Sequence, residues 1–102
     1  RWAVAGWAKT WANEAGRFGI TVNNVLPGYT RTGRLDEIVE KRAAATGLPL
    51  ETVAEQFKSH VPLRRFAEPH EVAAAVAFLT TPAAAYINGI NVPVDGGRTK
   101  SL

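Results

Sequence analysis

The 102-residue sequence contains no cysteine. Disulfides, thiolate nucleophiles and zinc–thiolate sites are thereby excluded, and the lack of cysteine fits a reducing, cytoplasmic setting. No apolar run approaches the ~20 residues needed to span a bilayer, so no membrane segment is expected. The two histidines, His60 and His70, lack ligand spacing and read as surface residues, so no metal site is expected. The net charge is only +3. The basic residues come as separated pairs, Arg31 and Arg34, Lys41 and Arg42, Arg64 and Arg65, Arg98 and Lys100. None extends into a stripe, so a nucleic-acid partner is not expected. There is no repeat or low-complexity linker, and no signal peptide is expected. Arg1 leads directly into a helical pattern, as if the sequence began inside a longer fold.

The composition itself is that of a globular protein, with 46% hydrophobic and 21% charged residues. A chain of this length buries roughly 60–68% of its unfolded surface, enough for one small domain. Residues 2 to 16 read as a helix with Val4, Trp7, Trp11, Ala15 and then Phe18 on one apolar face, and Lys9, Asn13 and Arg17 on the other. Gly16 and Gly19 provide stop signals. Trp2 lies off that face, which implies either packing on upstream chain or a subunit contact.

Residues 20 to 26 read as a β-branched strand closed by Pro27-Gly28. Residues 35 to 45 and about 50 to 60 form two short, charged helices, expected to be a surface excursion outside the core. Asp36, Glu37 and Glu40 there read as a solvated face. Residues 69 to 80 form a further helix opened by Pro69, with Val72, Val76 and Leu79 as its stripe. The last strand, 87 to 94, contains Pro93, which cannot donate to a ladder and belongs near a sheet edge.

A strand, a helical crossover and a second strand favour a right-handed parallel pair. Parallel sheets normally have more strands and both faces covered. The sheet is therefore expected to be completed by a missing N-terminal half or by another chain.

Four segments, in order, resemble the C-terminal portion of the short-chain dehydrogenase/reductase family, with the flavour of 3-oxoacyl-carrier-protein reductases. They are Ala3-Val4-Ala5-Gly6-Trp7-Ala8-Lys9, Gly19 to Gly28, Pro62-Leu63-Arg64-Arg65-Phe66-Ala67-Glu68-Pro69-His70-Glu71-Val72-Ala73, and Tyr86 to Gly97. The resemblance implies an α/β fold, the C-terminal part of a Rossmann-type doubly wound parallel sheet, with two parallel strands and about four helices here. Residues 1 to 102 would form a single incomplete domain, with 33 to 61 as the substrate lid.

It also implies NAD or NADP as cofactor and hydride exchange with a small carbonyl or alcohol substrate, in a homo-oligomer. By resemblance, Pro27, Gly28, Tyr29, Thr30 and Thr32 form the turn at the nicotinamide end. The Thr30 backbone would meet the carboxamide, and the Thr32 hydroxyl the carboxamide or phosphates. Read without the family, this is a strand-to-helix turn with a threonine cap. Leu35, Ile38, Val53 and Phe57 either line the lid or simply pack its helices together.

No residue is assigned a catalytic role. The glycine-rich phosphate loop is missing. Tyr29 and Tyr86 are followed four residues later by Gly33 and Ile90, not lysine. Arg1 falls where the family has its lysine, but a guanidinium is not an equivalent donor. The chain alone is expected to be inactive. The alternative is a truncated interaction or oligomerisation module without catalysis.

Overall fold

The computed structural model describes residues 2–100. The expectations placed on Arg1 and on the Trp2 side chain fall outside what it describes. The elements are α1 (Trp2–Ala15), β1 (Asn24–Pro27), α2 (Gly33–Thr46), α3 (Leu50–Lys58), α4 (Pro69–Leu79) and β2 (Asn91–Val94). Single 3-10 turns follow α1 at Gly16–Phe18 and α4 at Pro82–Ala84. β1 and β2 pair in parallel, with Asn24 opposite Asn91 and Pro27 opposite Val94. This is the expected partial Rossmann-type α/β arrangement.

Both strands are shorter than the apolar pattern predicts. Residues 20–23 and 87–90 run alongside each other, but asparagine side chains replace much of the ladder. Asn88 accepts from the Val22 N–H at 2.9 Å, and Asn23 accepts from the Ile90 N–H at 3.1 Å. Gly89 has φ +74°, a turn that interrupts the extended backbone. Pro93 sits as its chemistry requires. The carbonyls of Ile90 and Val94 face β1, accepting from Asn24 and Gly28. Alternation therefore turns the Pro93 nitrogen to the outer edge of the sheet, where no ladder bond is lost.

α1 contacts the rest of the chain through its alanines and through Lys9, whose Nζ donates to the Gly89 carbonyl at 3.3 Å, and not through the face predicted from periodicity. Ala12 is buried, and its carbonyl accepts from Asn88 Nδ2 at 3.1 Å. A Cβ on Gly89 would lie 3.3 Å from that of Ala12, so the approach requires small residues. The large residues face out: Trp7 is 68% exposed, Trp11 56% and Phe18 68%. The two indoles stack on each other with centroids 5.7 Å apart. The reason is geometric: a two-stranded sheet reaches only one side of the helix.

The buried cluster also lies where the sequence does not place it. Leu35, Val39 and Ala43 of α2 close on Val53 of α3 and on Phe66, with Tyr29, Ala54 and Phe57 packed around them. The presumed surface excursion thus holds the chain's main core. Two amphipathic helices joined by a short loop can bury each other's stripes without a wide sheet, at roughly 1.5–3 kcal/mol for each large side chain. α4, by contrast, contains no fully buried residue. The radius of gyration is 16.8 Å, against about 13 Å for a compact domain of this length.

Candidate functional site

β1 and β2 end together, and the segments leaving their carboxyl ends build one corner. In open parallel sheets, ligands bind outside the carboxyl ends of the strands. Gly28 follows β1 and donates its N–H to the Val94 carbonyl at 2.9 Å. A Cβ on Gly28 would lie 2.7 Å from both Cα and Cβ of Asp95. The glycine thus has a reason inside the chain: only hydrogen fits between the two strand ends.

Tyr29 turns its ring into the core, 5.4 Å from Phe57 and 6.1 Å from Phe66 between centroids. The following backbone runs beside the segment leading to α4. The Tyr29 carbonyl accepts from Ala67 at 2.9 Å, and the Arg31 N–H donates to the Ala67 carbonyl at 2.8 Å. This pairing turns the intervening Thr30 N–H and C=O away from Ala67. Neither makes a hydrogen bond to any described residue. The Thr30 hydroxyl folds back to the Gly28 carbonyl at 3.1 Å.

Thr32 caps α2, its oxygen accepting from the Leu35 N–H at 3.4 Å. Acceptance leaves the hydroxyl proton free to donate. The five predicted residues are thus in one turn, but their roles divide. Pro27 ends the strand, Gly28 and Tyr29 fix the turn from inside, and Thr30 and Thr32 present unused hydrogen-bonding groups. An adjacent donor and acceptor fit an amide, and a hydroxyl at a helix N-terminus fits an amide or phosphate oxygen. These are the groups that a nicotinamide cofactor offers.

A cleft of about 470 Å³ lies beside the turn, lined by Tyr29, Leu63, Arg65, Pro93, Asp95 and Gly97 among others. Arg65 grips Glu71 with two bonds of 2.6 and 2.8 Å. Glu71 also accepts the Glu68 N–H at 2.9 Å, completing a capping box at the start of α4. The Arg65 guanidinium, then the Glu68 N–H, hold the Glu71 carboxyl down at about 2. The Asp95 carboxylate accepts from the N–H groups of Gly97 and Thr99 and from the Thr99 hydroxyl. These bonds, the Thr99 hydroxyl first, hold it below the usual carboxylate range. No group of three or more metal-ligating side chains gathers among the described residues. No helix there is long and apolar enough to cross a membrane.

The profile of the family described as Enoyl-(Acyl carrier protein) reductase matches residues 1–99. Over 97% of its length the chain also superposes on the crystal structure of a short chain dehydrogenase family protein from Francisella tularensis. The TM-score there is 0.91, with 31% identity, over 41% of that chain. The chain belongs to the short-chain dehydrogenase/reductase family.

Within that family it is similar to the 3-oxoacyl-(acyl-carrier-protein) reductase of Vibrio harveyi. The two are 38% identical over 94 residues, 92% of this chain and 34% of that protein. A further structural neighbour is an actinorhodin polyketide ketoreductase solved with NADPH, with TM-score 0.87 and 33% identity. The match covers 96% of this chain and 38% of that one. The chain spans about a third of the length of the curated relatives it matches. What the sequence missed in this short-chain dehydrogenase/reductase corner is Asp95 and Arg98. Asp95-Gly96-Gly97 was legible as the end of a strand, but the aspartate also knots the tail in the manner of an Asx turn.

Proposed function

We propose that this chain supplies the nicotinamide-side turn and the lid of an NAD(P)-dependent oxidoreductase acting on small carbonyl or alcohol substrates. The observation that carries this reading is the Thr30 backbone, whose N–H and C=O pair with none of the described residues at the carboxyl end of a parallel strand. A bound nicotinamide cofactor would give hydride to a carbonyl as NAD(P)H or take it from an alcohol as NAD(P)+. The Thr30 backbone holds the carboxamide, and the Thr32 hydroxyl donates to an oxygen of the same cofactor. Gly28 and Tyr29 hold that turn in shape.

Residues 33 to 61 form the lid. Of its four apolar residues singled out from sequence, Leu35, Val53 and Phe57 pack the lid itself. Ile38, 43% exposed, is the one left to meet a substrate. The phosphate loop and the tyrosine–lysine pair must come from further protein, which also covers Trp7 and Trp11 and extends the sheet. Alone, the chain does not turn over.

Two measurements test this. The isolated chain mixed with NADPH and simple ketones should show no oxidation above background. Grafting residues 1–102 in place of the matching segment of the actinorhodin ketoreductase should retain NADPH binding, and a chimera that folds but does not bind overturns the reading. The exposed tryptophan pair favours a second reading, a module that associates without catalysis. In that reading the chain self-associates at micromolar concentration, and a monomer by light scattering rules it out.

A further inference from the structure

Three segments remote in sequence from Tyr29 meet at its ring. Tyr29 comes from the turn after β1, Phe57 from α3 and Phe66 from the loop before α4. Each ring carries one cation. Arg98 from the tail lies 4.5 Å from the Tyr29 centroid, Arg42 of α2 lies 5.7 Å from Phe57, and Lys58 lies 5.3 Å from Phe66. The tail is held in place to do this. The Asp95 carboxylate ties Gly97 and Thr99, the Arg98 N–H donates to the Asp95 carbonyl at 3.2 Å, and the Asp95 backbone abuts Gly28. Arg98 is therefore set over the ring from a base that is itself braced on the turn.

We propose that Arg98 is a positioning residue for the cofactor turn, acting through the Tyr29 ring to hold the Thr30 backbone in its unpaired orientation. The proposal rests on the reading of the turn given above, and it adds a tail residue to the site. Cation–aromatic contact is the source of the effect, and lysine retains it. Arg98 makes no ion pair among the described residues, so its removal orphans no partner.

Amide hydrogen exchange of the whole chain is the direct test. Arg98→Ala should speed exchange about threefold at the Arg31 and Ala67 N–H groups, which pair the turn with its neighbour. The Gly47 N–H, which caps α2, should not change. Arg98→Lys should restore the slow exchange. Unchanged exchange at Arg31 and Ala67, equal acceleration at Gly47, or no recovery with lysine each overturns the proposal.

In the grafted ketoreductase, Arg98→Ala should also raise the NADPH dissociation constant about threefold, and binding that ignores the substitution overturns the proposal as well. A chimera that fails to bind NADPH, with the exchange pattern intact, sinks the cofactor reading and leaves Arg98 as the brace of the turn. Normal NADPH binding with no response to Arg98 in either assay does the reverse.

Discussion

Gly28→Ala measures how tightly the two strand ends are joined at the corner of the site. The added methyl would start 2.7 Å from both Cα and Cβ of Asp95, where carbon atoms settle at about 3.5–4.0 Å. Roughly 1 Å of separation must be found, and both obstacles belong to or adjoin the backbone, so no flexible side chain can yield. The Gly28 φ lies outside the left-handed region, so the penalty is steric and not conformational. Overpacking of this kind costs about 1–3 kcal/mol, and the Gly28 to Val94 hydrogen bond must stretch as well. A loss of about 2 kcal/mol corresponds to a fall of roughly 10 °C in Tm for a chain of this size. Urea unfolding followed by circular dichroism reads it. Gly33→Ala is the control, because nothing lies within 4 Å of its added Cβ at the start of α2. It should be neutral or stabilising by up to about 1 kcal/mol. If Gly28→Ala unfolds within about 0.5 kcal/mol of the unsubstituted chain, the argument that steric closeness selected this glycine is wrong.

Val53→Ala should destabilise by roughly 2 kcal/mol in the same assay, because Val53 is fully enclosed by α2, α3 and Phe66; a smaller loss than that of an exposed Ile38→Ala would contradict the placement of the core. Glu71 has a folded pKa of about 2, below its ordinary value of 4.5. Its contribution to holding the start of α4 is therefore present above about pH 4.5 and lost as pH falls towards 2. A pH titration of unfolding should show this acid-side loss weakened in Glu71→Gln, and an unaltered profile would refute it. Replacing Trp7 and Trp11 together by lysine should lower any concentration-dependent mass seen in light scattering, since both indoles are more than half exposed. An unchanged mass would show that association uses another surface.

The order of elements, the parallel pairing and the position of the site turn could be read from sequence because each rests on local signals. Pro27-Gly28 and the capped start of α2 mark the turn. Pro69 opens α4, and Pro93 marks a sheet edge. Periodicity also found the apolar face of α1, but not what covers it. A helical stripe reports that a face is apolar, and it carries no information on whether the same chain supplies the other half of the contact. For that reason the stripe of α1 could be read although Trp7 and Trp11 lie exposed, while the charged α2–α3 pair, expected outside the core, holds it.

Tertiary structure alone decided the roles inside the turn. Gly28 is fixed by Asp95, Tyr29 is anchored by Phe57 and Phe66, and Thr30 and Thr32 keep groups to offer. Those assignments depend on contacts between residues about thirty to seventy positions apart. Sequence sets which groups a residue carries, and the meeting of distant segments sets which of those groups are already engaged.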